Sequence, residues 1–106
     1  MKRVFDRESL YLFSDEEIMN EICRRIRLMR QNSSLSQTDM AKEAGVSLST
    51  IKRIESGDIK NISFLILLRI LRAGGMIGGV AQLIDDMPEP PFKNNKRGYF
   101  TKRNRE

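Results

Sequence analysis

Histidine is absent from the 106 residues and cysteine occurs once, as Cys23. Without histidine the chain lacks the commonest general base, the usual nitrogen ligand of zinc and the middle member of a Ser-His-Asp arrangement. One cysteine allows neither an intramolecular disulfide nor a multi-cysteine metal site. It falls beside the apolar stripe of a long helix and reads as a small core residue. Long apolar runs are missing too: no stretch approaches a membrane span, and MKRVFDRESLYLF lacks the apolar centre of a signal peptide. A soluble, cytoplasmic protein with no cofactor and no enzymatic activity is the expectation. The glycines of Gly74-Gly75-Met76-Ile77-Gly78-Gly79 do not make a phosphate loop, because no Lys-Ser/Thr follows and no strand precedes.

What is present fits one small globular domain, with 40% hydrophobic and 31% charged residues. The net charge of +5 is unevenly placed. Residues 93–106 hold six basic groups and one acidic group, whereas the rest of the chain holds 13 of each sign. Basicity of the whole chain is therefore no argument about the core, which must rely on local placement of Lys52, Arg53 and Lys60.

The informative stretch is LSQTDMAKEAGVSLSTIKRIESG, residues 35–57. Ser36 is placed to cap a helix, with Asp39 three residues on in a near capping box. Met40, Ala41 and Ala44 share one face, and Gly45 stands where a left-handed residue ends the helix. A second helix starts after Ser47, turns Ile51 and Ile54 inward and stops at Gly57. The connection is so short that the helices must cross steeply, as in a helix-turn-helix. Gln37, Leu48, Ser49, Thr50, Lys52 and Arg53 then point outward, and a polar, cationic helix end suits the DNA major groove. The plainer alternative is an αα-hairpin that only packs in a bundle. Ala41 at the point of closest approach, Gly45 at the turn and the inward isoleucines favour the helix-turn-helix.

Gln37, Ala41, Gly45, Val46, Ser47, Ile51, Ile54, Glu55 and Gly57 resemble the signature of Xre/Cro-type helix-turn-helix proteins, over roughly residues 15–85. The resemblance implies an all-α, lambda-repressor-like bundle of about five helices with extended or disordered arms. It also implies base contacts from the positions of Leu48, Ser49 and Arg53.

The rest of the chain divides around that motif. Residues 1–13 form an arm, in which Phe5, Leu10, Tyr11, Leu12 and Phe13 suit packing on the body or on a second subunit, as an edge strand or short helix; disorder is the alternative. The domain spans 14–87. Its first helix starts at the capping box Ser14-Asp15-Glu16-Glu17 and carries the stripe Ile18, Ile22, Ile26, Met29. Arg24, Arg25, Arg27 and Arg30 read as dipole complementation and solubility, or as phosphate contacts. Ser63 caps FLILLRILRA, a helix apolar nearly all round, which needs cover on two sides and so favours a homodimer. A short fifth helix is expected to turn Val80, Leu83 and Ile84 inward. Residues 88–106 are a proline-containing linker and a basic tail with Phe92, Tyr99 and Phe100, suited to nucleic acid or to a protein partner.

These features predict a transcriptional repressor that binds double-stranded operator DNA as a homodimer. Leu48, Ser49, Lys52 and Arg53 would read bases, while Gln37, Thr50 and Lys60 would contact phosphate. The run from Phe64 to Pro91, with the basic tail after it, resembles HipB-type antitoxins. That resemblance implies an autorepressor of a toxin–antitoxin operon with a HipA-like Ser/Thr kinase toxin as partner, whole or split. A stand-alone or phage-type regulator is the alternative.

Overall fold

Each α-helix begins on a serine, and that repeated device sets the architecture. In the computed structural model, which describes residues 4–91, the helices are α1 (Asp15–Asn32), α2 (Gln37–Ala44), α3 (Leu48–Ser56) and α4 (Phe64–Ala73). Ser14, Ser36, Ser47 and Ser63 each accept a hydrogen bond from the backbone N–H three residues on, at 3.0–3.2 Å. Each thereby satisfies a donor that the first helical turn leaves unpaired. The first two are reciprocal capping boxes. Glu17 accepts from the Ser14 N–H at 2.8 Å, while Asp39, one methylene shorter, is 3.4 Å from that of Ser36. Two 3₁₀ segments, Ser9–Leu12 and Ile77–Gln82, complete an all-helical chain, with no strand among the described residues. None of the helices among the described residues is long and apolar enough to cross a membrane.

The core draws on all four helices. Cys23, Ile26 and Met29 come from α1, Met40, Ala41 and Ala44 from α2, Ile51 and Ile54 from α3, and Ile70 from α4. The α1 stripe is therefore buried in its second half, while Ile18 and Ile22 are half-buried. Burial also pushes the Cys23 thiol pKa up, which keeps the sulfur protonated in its role as a small core group. Among the described residues α4 is covered on one side only. Ile70 is fully buried, but Phe64 and Leu65 are 51% and 56% exposed.

Residues 4–13 adopt the short-helix alternative and pack on the body of their own chain. The 3₁₀ segment is held by reciprocal bonds between Asp6 and Ser9. The Phe5 and Phe13 rings meet edge to face at 5.6 Å, and the Arg25 guanidinium lies 4.6 Å above Phe5.

The fifth helix differs from expectation. It is the 3₁₀ segment Ile77–Gln82, in which Val80 is half-buried, while Leu83 and Ile84 are 57% and 76% exposed rather than inward. Gly78 and Gly79 lie inside it, and each glycine costs a helix about 1 kcal/mol relative to alanine. So short an element cannot offset that. Residues 85–90 have no regular structure, as the prolines require. Met1 to Arg3, Phe92 and the basic tail, with the roles expected of them, lie outside the described residues.

Candidate nucleic-acid interface

The turn between α2 and α3 is three residues long, and its geometry depends on glycine. Gly45 sits at φ 70° and ψ 36°, and its N–H returns to the Lys42 carbonyl at 3.3 Å. Val46 N–H closes on the Ala41 carbonyl at 3.0 Å. A Cβ at Gly45 would meet open space, so conformation alone demands glycine there. Ser47 then opens α3, which drives Ile51 and Ile54 into the core at 1% exposure each. The helix-turn-helix expected from the sequence is formed.

Burial on one side of α3 fixes what the other side presents. Ser49 and Lys52 are exposed, and Thr50 and Arg53 are half-buried at the flanks. The Ser47 hydroxyl lies 3.1 Å from that of Ser49 and 2.8 Å from that of Thr50, so three hydroxyls cluster at the N-terminal end. Leu48, expected to face outward, is half-buried and packs partly against the core. Lys60 is exposed in the loop after α3. The Arg53 guanidinium donates through Nη2 to the Lys60 carbonyl at 2.7 Å, with Nε 3.7 Å from the Asp58 carboxylate. Arg53 therefore braces the loop that carries Lys60.

Gln37, also expected to point outward, is half-buried and tied inward. Its Nε2 donates to Glu55 Oε1 at 3.0 Å. The same carboxylate takes a bidentate pair from Arg30, Nε to Oε2 at 2.6 Å and Nη2 to Oε1 at 2.9 Å. Arg30 further donates to the Leu35 carbonyl at 2.8 Å, and Arg27 reaches the Glu55 backbone carbonyl at 3.4 Å. Glu55 and Arg30 side chains are 5% and 13% exposed. Desolvation raises the Glu55 pKa, but the bonds from Arg30 and Gln37 and the charges of Arg30 and Arg27 outweigh it and hold the carboxyl below its ordinary range. The network joins α1, the start of α2 and the end of α3, and so fixes how α2 and α3 stand on the body.

This network is not apparent from the sequence. By sequence alone Arg30 falls in with Arg24, Arg25 and Arg27 as a solubilising or phosphate-contacting cluster. Only Arg24 and Arg25 make solvent-side pairs with Glu21, at 3.0 and 2.8 Å. Arg30 and Glu55 are 25 positions apart, so no helical spacing rule connects them. The available signal is that Gln37 and Glu55 both stand in the helix-turn-helix signature, as two residues that meet in the fold.

A family model described as helix-turn-helix matches residues 26–76, just under half of the chain. The match opens in the second half of α1, covers the motif and α4, and ends at Met76. It leaves the arm and everything after Met76 outside. It supports a DNA-binding transcriptional regulator. No curated protein and no solved structure gives a match.

Proposed function

We propose that this helix-turn-helix chain is a sequence-specific repressor that binds a pseudo-palindromic operator as a homodimer, α3 of each copy lying in the major groove. The observation that carries the reading is the division of α3, with Ile51 and Ile54 sealed in the core and Ser49 and Lys52 exposed on the outside. Ser49 and Lys52 offer a hydroxyl and an ammonium to base edges, and the half-exposed part of Leu48 suits a thymine methyl. Arg53 reaches guanine through the guanidinium N–H groups not engaged by Lys60. Thr50, Lys60 and the second N–H of the Gln37 amide contact phosphate, with the N-terminal N–H groups of α2 aimed the same way. With Gln37 anchored on Glu55, the phosphate contact is held in place before DNA arrives, so less ordering entropy is lost on binding.

Two-fold symmetry places half-sites about 34 Å apart, one turn of duplex, or a multiple of that. A footprint of the purified protein on the DNA upstream of its own gene tests the reading. Protection of an inverted repeat with that spacing is the expected result. Uniform protection along the fragment would remove sequence-specific repression.

The HipB-like pattern from Phe64 to Pro91 supports a finer reading as antitoxin and autorepressor with a Ser/Thr kinase partner. Co-expression with the product of the neighbouring gene tests it. A stable complex containing a kinase fold is expected, and a regulator that purifies alone favours the stand-alone alternative.

A further inference from the structure

The glycine that ends α3 brings the side chains of Arg53 and Asp58 together. Gly57 stands at φ 88°, and this left-handed cap lets the Asp58 N–H close on the Arg53 carbonyl at 2.9 Å. The Asp58 carboxylate then lies 3.7 Å from Arg53 Nε, with side chains 59% and 41% exposed. At that distance it acts by charge rather than through a hydrogen bond. The backbone turns again at Asn61, φ 63°, and the Lys60 carbonyl just before it accepts from Arg53 Nη2 at 2.7 Å. Asp58 and that carbonyl thus take up the Nε–Nη2 side of the planar guanidinium, and Nη1 has no hydrogen bond among the described residues. Lys60 shares a cleft with Asp58, Asp15 and Glu16, yet makes no ion pair among the described residues. An ion pair as exposed as that of Arg53 with Asp58 adds little to stability. Its consequence lies in what it does to the arginine.

We propose that Asp58 is a positioning residue that sets the specificity of Arg53. Its charge holds Nε and so fixes the plane of a long side chain that is otherwise free to reorient. Nη1 and the other N–H of Nη2 are thereby kept for O6 and N7 of one guanine, the bidentate contact that arginine makes with that base. The same charge cancels that of Arg53 toward phosphate, and an exposed carboxylate beside a DNA-facing helix repels phosphates on any sequence. Lys60 keeps its charge uncancelled and takes the phosphate role. Asp58 thus raises the ratio of operator to random binding without touching a base, by making the wrong duplex less welcome as well as the right one better read. This inference rests on the reading of α3 as the helix that reads bases, and it names the residue that sharpens it.

Full-length wild type, Asp58→Asn and Asp58→Glu are titrated by fluorescence anisotropy at one salt concentration. The duplexes are the footprinted operator, operators in which each guanine of a half-site is replaced in turn by adenine, and a random sequence. Wild type should lose about ten-fold or more at one of those guanines. Asp58→Asn, nearly the same in shape but uncharged, should reduce that loss to about three-fold or less and bind random duplex more tightly. Asp58→Glu, which keeps the charge, should stay closer to wild type on both counts. A merely structural part in the loop would weaken every duplex alike and leave the guanine preference as it was. The same titrations in an Arg53→Ala background separate the two partners, since Asp58→Asn should no longer alter discrimination at any guanine there. The proposal is overturned if no guanine shows this preference, if Asp58→Asn leaves it unchanged, or if the change is as large with Arg53 absent. A wild type that binds operator and random duplex equally defeats base reading by α3 and this inference with it. A specific wild type with an indifferent Asp58→Asn defeats the inference alone.

Discussion

The α2–α3 pair and the α4 side of the molecule treat apolar surface in opposite ways. Around the turn, Met40, Ala41, Ala44, Ile51 and Ile54 are all at or below 6% exposure, and the outer surface is hydroxyls and charge. Around α4, one residue is sealed while Phe64, Leu65, Met76, Leu83, Ile84 and Met87 are more than half exposed. The first region is closed within one chain, which fixes the orientation of α3 on the body. The second is left open among the described residues, with apolar side chains facing outward.

The contrast is broken or sharpened first by truncating one isoleucine and one leucine. Ile54→Ala should cost about 3 kcal/mol in urea unfolding through a cavity in a closed core. Leu65→Ala, at 56% exposure, should cost less than about 1 kcal/mol in the same experiment at a concentration where the chain is monomeric. Equal losses would show that the two regions are equally well packed.

The Glu55 network comes next. Glu55→Ala leaves Arg30 in a nearly dry site without its partner and should destabilise by about 3 kcal/mol. Glu55→Gln keeps an acceptor for one donor and should lose less. The pH dependence follows from the lowered Glu55 pKa. The stabilisation is fully present above the ordinary glutamate value of 4.5 and is lost as pH falls through the lower folded value. The gap between the thermal melts of wild type and Glu55→Gln should therefore narrow as pH is lowered below 4.5. A gap that stays constant however far the pH is lowered would mean that the carboxylate is not the source.

A smaller effect belongs to the turn. Gly45→Ala adds no clash, since a Cβ there meets nothing within 4 Å. It should cost about 1–2 kcal/mol from the left-handed backbone alone. An asparagine at that position should recover part of the loss, and calorimetry of the two variants separates conformation from packing.

How far these differences were legible in the sequence follows the range of the interactions involved. All four serine caps, the glycine at Gly45 and the inward faces of α2 and α3 were readable because each is decided within a few residues. Ser14 with Glu17 and Ser36 with Asp39 state their own geometry. The anchoring of Gln37 was not readable. Its orientation depends on Glu55, and that of Glu55 on Arg30, across three helices that only the finished fold brings together. The fifth helix differs for a local reason: the spacing of Val80, Leu83 and Ile84 suggests a helix turned inward, whereas the 3₁₀ segment that forms takes in Gly78 and Gly79 and leaves Leu83 and Ile84 exposed. The incomplete cover of α4 was legible from its composition, and the exposure of Phe64 and Leu65 is its physical counterpart.

The claim on which the rest depends is that the outer face of α3 distinguishes one base sequence from another. Binding of Ser49→Ala and Arg53→Ala to the footprinted operator and to random duplex of the same length and salt measures this directly. Each should lose about ten-fold or more on the operator, in keeping with 1–3 kcal/mol per base contact, and little on random DNA. Equal losses on both duplexes would reduce these side chains to loop bracing and phosphate contact, and would contradict base reading by α3.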